Sequence, residues 1–454
     1  MISPARAAAF TILRALSSGD ADLPTSLAAA RIRLTDERDR ALAAEIAIGV
    51  QRWRAALDHV IVAFSKREIA RIDPEVTDIL RLSAYQLLHL TRVPASAVVD
   101  DAVNLTRRAG KKSAAGFVNA VLRTVSRGRN ALPLPPRPAD ASEREAALAY
   151  LSVTLSHPRW LVERWLDRYG FTATEAWLQF DNTAAPLTLR ANRLKVSATA
   201  LTERLLAAGV RVRPARFAPD ALMVEDGHPL RGPDAEAGLF LVQDEASQLI
   251  TMLAGDHPGA LVLDTCAAPG GKTAALAAAM ENGGRLVACD VRPRRVELLR
   301  NTVAASGASN VSLVRANLLR PLPFRARFDC VLVDAPCSGL GTLRRDPDIR
   351  WRRLEGDLPA LAAAQLTMLQ HAAEAVAPAG RLIYATCSSE PEENEGVASA
   401  FLTTTSGFAG LHASEAAPQL PAALIDARGH LRTAPHRDGL EAFFGAVFVR
   451  AGHV

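Results

Sequence analysis

From about residue 235 onward, short apolar, β-prone runs alternate with helical stretches, at 260–264, 285–289, 311–315, 328–333, 381–385 and 443–449. A run that is apolar at successive positions suits a strand covered on both faces, because its side chains alternate between the two. Such strands alternating with helices restrict this half of the chain to a doubly wound α/β sheet, with the last run as an antiparallel addition. A sheet of this kind presents its ligands and reactive groups at the carboxyl ends of its strands, in the crevice where strand order reverses. Two cysteines stand just beyond runs of this sheet: Cys337 in Asp334-Ala335-Pro336-Cys337 and Cys387 in Thr386-Cys387-Ser388. Both sulfurs are therefore expected at one cleft, a placement that points to covalent chemistry.

At 454 residues the chain is too long for one growing core, so two or three domains are expected. Residues 1–130 carry helical periodicity, with Leu80, Ala84, Leu87 and Leu88 along one face, and read as an all-helical domain. Leu132-Pro133-Leu134-Pro135-Pro136-Arg137-Pro138 interrupts any helix, so 131–145 reads as a stiff linker. Residues 146–234 read as a small α+β module, with Trp160 and Trp165 in a helical piece and strand-like alternation over Leu187-Thr188-Leu189-Arg190-Ala191-Asn192. The sheet domain occupies 235–454.

No segment offers the roughly 18 uncharged apolar residues of a membrane span. The N-terminus has no cationic stretch leading into a cleavable apolar run, and a soluble cytoplasmic protein is expected. The five cysteines, Cys266, Cys289, Cys330, Cys337 and Cys387, all fall in the C-terminal half, an odd set unlike a disulfide scaffold. None makes a C-x-x-C pair and the ten histidines are scattered, so no metal is expected. Residues 1–140 hold 21 Lys and Arg against 14 Asp and Glu, whereas the remainder holds 32 against 34. The basic surplus thus lies at the N-terminus, and a second run of arginines from Arg292 to Arg353 surrounds the first motif cysteine; a polyanionic partner would explain both.

Leu261-Val262-Leu263-Asp264 leads into Thr265-Cys266-Ala267-Ala268-Pro269-Gly270-Gly271-Lys272-Thr273, a strand and glycine turn opening onto an alanine-rich helix. A triphosphate-binding loop would need glycine at Cys266 and tolerates Pro269 poorly. Gly270 and Gly271 instead allow close backbone approach to a carboxylate or sulfonium group; a simple tight turn is the plainer alternative. Asp290 ends the second strand about 20 residues after the turn, where an acid can bond a ribose diol or, alternatively, cap the helix that starts near Pro293. A free cysteine is usually a small packing residue. Here Pro336 and Ser338-Gly339-Leu340-Gly341 shape the loop at Cys337, and the polar run Ser388-Ser389-Glu390-Pro391-Glu392-Glu393-Asn394 beside Cys387 is a poor setting for buried packing.

Taken together, these motifs resemble the cytosine-C5 RNA methyltransferases of the Sun/Fmu (NOP2/Sun) family. The resemblance extends over nearly the whole chain: Ser156-His157-Pro158-Arg159-Trp160, Gln243-Asp244-Glu245-Ala246-Ser247, the Cys266–Thr273 loop, Asp334–Gly339, Pro347-Asp348-Ile349-Arg350-Trp351 and Tyr384–Asn394. Asp39-Arg40-Ala41-Leu42 and Phe117-Val118-Asn119-Ala120-Val121-Leu122-Arg123 resemble the NusB-type RNA-binding domain of bacterial ribosomal members.

The resemblance implies a Rossmann-like methyltransferase sheet, preceded by an α+β module and an all-α NusB-like domain. It also implies methylation of cytosine C5 in 16S ribosomal RNA through a covalent adduct at C6. By the same resemblance Cys387 is the nucleophile, Cys337 assists product release, and Asp334 contacts cytosine N3 and its amine. S-adenosylmethionine is implied along Cys266, Ala267, Ala268, Pro269, Gly270, Gly271 and Lys272, with Asp290 at the ribose, Asn317 at the adenine and Asp334 at the edge shared with the substrate. Asn317 departs from the family's aspartate; it keeps a carbonyl acceptor but loses the charge, which implies weaker cofactor binding. Pro435-His436-Arg437-Asp438-Gly439 resembles a closing motif, whereas Glu441-Ala442-Phe443-Phe444 departs from it and suggests no catalytic role. A transfer RNA methyltransferase, a non-catalytic RNA-binding ribosome assembly factor and a DNA cytosine methyltransferase are the competing readings. Target nucleotide and oligomeric state have no signature here.

Overall fold

A computed structural model describes residues 2–255, 257–325 and 327–452. The chain falls into two units, Met1–Ala184 with Leu343–Glu355, and Ala185–Thr342 with Gly356–Val454. Among the described residues no helix is long and apolar enough to cross a membrane.

The first unit opens with seven α-helices: α1 (Pro4–Ser17), α2 (Leu23–Arg33), α3 (Glu37–Arg52), α4 (Arg54–Ser65), α5 (Pro74–His89), α6 (Ala95–Arg108) and α7 (Ala115–Gly128). Helix α5 is buried from Val76 to Leu87, the pattern of a central helix rather than an amphipathic surface one. Its buried charged and amide groups are matched: Arg81 reaches Asp58 at 2.7 Å and Asp78 at 3.3 Å, and Gln86 accepts from Arg6 at 2.7 Å. Asp22 and Asp36 cap α2 and α3 by accepting from the Thr25 and Arg38 amides.

The proline-rich stretch is extended but held against these helices. Leu132 and Leu134 join their core, and the Pro133 and Pro135 carbonyls bond His59 at 2.8 Å and Thr154 at 2.7 Å. The helices that follow, Arg144–Ala149 and Arg159–Asp181, cluster with this unit rather than with the strands. So does the returning segment Leu343–Glu355, whose Arg350 is fully buried. The Arg350 guanidinium donates to the Ser156 carbonyl at 3.0 Å and Asn182 Oδ1 at 3.1 Å, and Trp351 Nε1 donates to the Gln51 carbonyl at 2.6 Å.

The second unit contains two sheets. Strands β1 (Thr188–Ala191), β2 (Arg211–Pro214), β3 (Ala221–Asp226) and β4 (Phe240–Val242) pair antiparallel in the order β2-β3-β1-β4. The helix Ala198–Ala207 lays Leu201 and Leu205 on Leu189, Leu222 and Phe240.

The large sheet consists of β5 (Leu261–Asp264), β6 (Arg285–Asp290), β7 (Val311–Arg315), β8 (Phe328–Asp334), β9 (Val376–Thr386), β10 (Phe408–Leu411), β11 (Leu431–Arg432) and β12 (Phe444–Arg450). Its order is β10-β12-β9-β8-β5-β6-β7, with β11 on β12; β5 to β9 are parallel, and β10, β11 and β12 pair antiparallel. Alternate residues feed two cores. Val262, Leu286, Cys330, Leu332 and Ile383 face one, and Leu263, Val287, Cys289, Val331, Val333 and Leu382 the other. This is the doubly wound sheet expected from the unbroken apolar runs. Cys289 and Cys330 are packing residues in it, and burial pushes both thiols up to about 12.

Candidate active site

Strand order reverses between β5 and β8, and the turn after β5 occupies that switch point. The turn is fastened to the next strand by the Ala267 amide, which donates to the Cys289 carbonyl at 2.8 Å. Gly270 has φ 109°, a conformation open to glycine, and a Cβ there would meet Thr302 Cβ at 2.9 Å. Helix Gly271–Ala279 begins immediately after. Beneath the turn, Asp264 is fully buried and accepts from Thr273 Oγ1 at 2.7 Å, while its Oδ1 has no hydrogen-bond partner among the described residues. Burial, reinforced by the charges of Asp334 and Asp290, raises the Asp264 carboxyl to about 7 although the Thr273 bond opposes it. Cys266 packs into the core beside the turn, and burial with Asp334 and Asp264 drives its thiol far above the ordinary range.

Asp290, at the end of β6, accepts from the Arg292 amide at 3.2 Å and from Arg295 Nε at 3.1 Å. Arg295 also donates to the Ala268 carbonyl at 2.6 Å, tying the second strand end to the glycine turn. Helix Pro293–Ser306 takes Arg292 as its N-cap, so Asp290 is not its capping residue. Asn317 lies exposed beyond β7, where its Oδ1 accepts from the Leu319 amide at 3.0 Å and forms a local turn.

On the other side of the switch point, Asp334 ends β8 and its Oδ2 accepts from Lys272 Nζ at 2.6 Å. Lys272 also donates to Ser247 Oγ at 3.0 Å and lies 5.7 Å from the Phe443 ring centroid. The Gln243–Ser247 motif therefore supports this lysine: Asp244 caps the helix Glu245–Met252, which fixes Ser247 in place. Burial alone would lower the Lys272 ammonium, but the Asp334 carboxylate and then the Cys387 sulfur outweigh it, and its pKa rises.

Cys337 and Cys387 meet with their sulfurs 3.3 Å apart. The Cys387 neighbour, followed by burial, raises the Cys337 thiol well above its ordinary value. Two sulfurs this close do not both ionise, and the raised member keeps its proton. Gly341 stitches the two loops together: its amide donates to the Cys387 carbonyl at 2.9 Å, and its own carbonyl accepts from the Ala442 amide at 2.9 Å.

Two features differ from the sequence expectation. The run Ser388–Asn394 is not a solvated setting, since Ser388, Ser389, Glu390, Glu393 and Asn394 are all at most 3% exposed. Its polar groups bond one another and the two cysteine loops, an arrangement that a single sequence does not reveal because the donors come from distant segments. The Glu441–Phe444 segment is also part of the site, through Phe443 at Lys272 and Ala442 at Gly341. By contrast, the Ser156–Trp160 and Pro347–Trp351 motifs meet in the first unit, around Arg350.

The profile of the family described as 16S rRNA methyltransferase RsmB/F matches residues 251–449. A NusB family profile matches residues 3–127, and an RsmF/B-like ferredoxin-like domain matches 157–231. A probable ribosomal RNA small subunit methyltransferase B of Bacillus subtilis is 32% identical over 411 residues, covering 90% of each chain. The chain belongs to the RsmB/F methyltransferase family. A ribosomal RNA small subunit methyltransferase B of Pseudomonas putida is 34% identical across 88% of this chain and 89% of its own. A putative methyltransferase of Mycobacterium tuberculosis is 36% identical across 99% and 97%. Among solved structures, PH0851 covers 99% of both chains with a TM-score of 0.80 at 25% identity. A methyltransferase homologue from Pyrococcus horikoshii covers 67% of this chain and 99% of its own, with a TM-score of 0.58 at 26% identity. The sheet of the second unit is accordingly a methyltransferase sheet.

Proposed function

We propose that this chain methylates carbon 5 of cytosine in 16S ribosomal RNA, with S-adenosylmethionine as donor and Cys387 as the nucleophile. The observation that carries the reading is the pair of sulfurs 3.3 Å apart beside the Lys272–Asp334 ion pair. S-adenosylmethionine supplies an electrophilic methyl group on a sulfonium. The residues fit it. The glycine turn offers close backbone approach, Asp290 offers carboxylate oxygens to a ribose, and the unpartnered Asp264 Oδ1 offers a buried acceptor to an ammonium. Asn317 is the adenine-side candidate and Cys266, a partly buried thiol whose pKa is pushed up, is a wall of the turn.

Carbon 5 of cytosine is a poor nucleophile until a thiolate adds at C6. Pairing with Cys387, followed by burial, raises the Cys337 thiol, so Cys337 retains a proton beside the nucleophile. Asp334 is suited to the N3 and amine edge of the base, where holding a proton makes C6 more electrophilic. After methyl transfer the C5 proton passes to water, the C5–H electron pair re-forms the C5–C6 double bond, and the C6–S bond breaks with its pair on the Cys387 sulfur, a departure that Cys337 assists. The base must leave its stack to reach the crevice, so an unpaired or locally opened site is the substrate. The helical unit and the four-stranded module supply RNA docking, and the basic surplus of residues 1–140 supports this. Action on ribosomal RNA places the protein in the cytoplasm.

The test is to incubate the purified chain with labelled S-adenosylmethionine and unmodified 16S ribosomal RNA, transfer RNA or DNA, then map 5-methylcytosine by bisulfite sequencing. A single modified cytosine in 16S ribosomal RNA is expected. Transfer to DNA alone, to transfer RNA alone, or to no nucleic acid contradicts the proposal.

A further inference from the structure

We propose that Glu393 is a positioning residue whose buried carboxylate binds the residue after each motif cysteine and so sets the spacing of the two sulfurs. The inference rests on the reading above for its consequence in catalysis, but its geometric core stands on hydrogen bonds alone. Glu393 is fully buried, an environment that strongly disfavours a carboxyl group unless donors surround it. Its Oε1 accepts from the Ser338 amide at 2.8 Å and from Gln365 Nε2 at 2.8 Å, and its Oε2 accepts from Ser388 Oγ at 2.5 Å. Ser338 follows Cys337 and Ser388 follows Cys387, so one side chain grips both loops one residue beyond each sulfur. The two serine hydroxyls lie 3.1 Å apart, a second rung next to the paired sulfurs.

The acid is itself fixed. Tyr384, in β9, donates its hydroxyl to the Glu393 carbonyl at 2.5 Å. Thr386 Oγ1 donates to Asn394 Oδ1 at 2.5 Å, and Asn394 Nδ2 donates to the Ser388 carbonyl at 2.9 Å. Gln365 extends the grip by donating to the Pro336 carbonyl at 3.0 Å, so the residues on both sides of Cys337 are held. The Glu393 charge also contributes to the raised pKa of the Cys337 thiol, after Cys387 and burial.

The sulfur spacing is read directly by diamide, which takes the two thiol hydrogens and becomes a hydrazine as the Cys337–Cys387 disulfide forms. Full-length wild type and Glu393→Gln are treated without RNA or cofactor, and disulfide peptides are followed by mass spectrometry. Glutamine keeps the size of the side chain but turns one acceptor into a donor facing Ser388 or Ser338. We expect crosslinking at least 10-fold slower in Glu393→Gln, with melting temperature and cofactor affinity near wild type. In methylation, kcat should fall at least 30-fold while the KM for RNA changes less than threefold. A folded Glu393→Gln that crosslinks within twofold of wild type overturns the proposal. If Glu393→Gln does not fold, Ser388→Ala decides, since it removes one of the three bonds to the carboxylate, together with that hydroxyl's contacts to Ser338 and the Glu390 amide, and leaves the other two: crosslinking slowed threefold or more supports the proposal, and an unchanged rate rejects it. Wild type that crosslinks readily but methylates no RNA refutes the assigned activity and leaves the positioning role standing.

Discussion

At the scale of single residues, the site turns on one half-buried cation, Lys272, held between the Asp334 carboxylate and the Ser247 hydroxyl. Lys272 was legible as part of the glycine turn, yet its engagement of Asp334 and Ser247 depends on the fold that brings three separate segments together. Lys272→Met keeps the length of the side chain and removes the charge. It leaves Asp334 without its ammonium partner in a partly buried site. Methyl transfer should drop at least 100-fold with the melting temperature near wild type; a folded variant that works within threefold of wild type means the lysine does not serve the reaction. Asn317 makes a different point. Its carbonyl already accepts from Leu319, so Asn317→Asp, which keeps that acceptor and adds charge, should tighten cofactor binding severalfold by calorimetry without changing the melting temperature by more than a few degrees.

At the scale of elements, the parallel strands were legible because the central ones are covered on both faces and so are mostly apolar, as over Leu261–Asp264 and Cys330–Val333. Strands β10 and β11 were not. Phe408–Leu411 is partly exposed and contains Gly410, and Leu431–Arg432 is only two residues long, so neither carries a periodic signal. The loops after β8 and β9 were recognised from their cysteines, but the burial of Ser388–Asn394 was not, because a polar segment becomes an interior one only when matching donors converge on it. The same loops give a steric prediction at Gly341. A Cβ there would sit 2.1 Å from the Ala442 carbonyl oxygen and 2.7 Å from that of Cys387. Gly341→Ala should therefore destabilise the protein by about 1–3 kcal/mol in urea denaturation and slow methylation more than tenfold. Wild-type stability and rate in that variant would show that the loop has room.

At the scale of the molecule, the helical N-terminal region and the α/β sheet were each legible from their periodicity. The placement of Arg144–Asp181 and Leu343–Glu355 with the helices was not, since it rests on buried groups far apart in sequence. In that first unit Asp181 is enclosed with Arg350 and His157, and burial raises its carboxyl to about 7 against the pull of Arg350, Arg344 and Arg52. Its folded pKa lies above the ordinary carboxylate value, so the native state holds more protons than the unfolded chain between about pH 4 and 7. Stability from this group is present at low pH and is lost as pH rises through that window. The urea midpoint of wild type should fall between pH 5 and 7.5, and Asp181→Asn should flatten the slope; equal slopes would show that Asp181 does not titrate there. Catalysis depends on which sulfur bonds to the base. Denaturing electrophoresis of Cys337→Ala and Cys387→Ala after incubation with 16S ribosomal RNA and S-adenosylmethionine tests it most directly. A covalent protein–RNA band in Cys337→Ala and none in Cys387→Ala is the predicted result, whereas the reverse pattern, or no band in either, contradicts it.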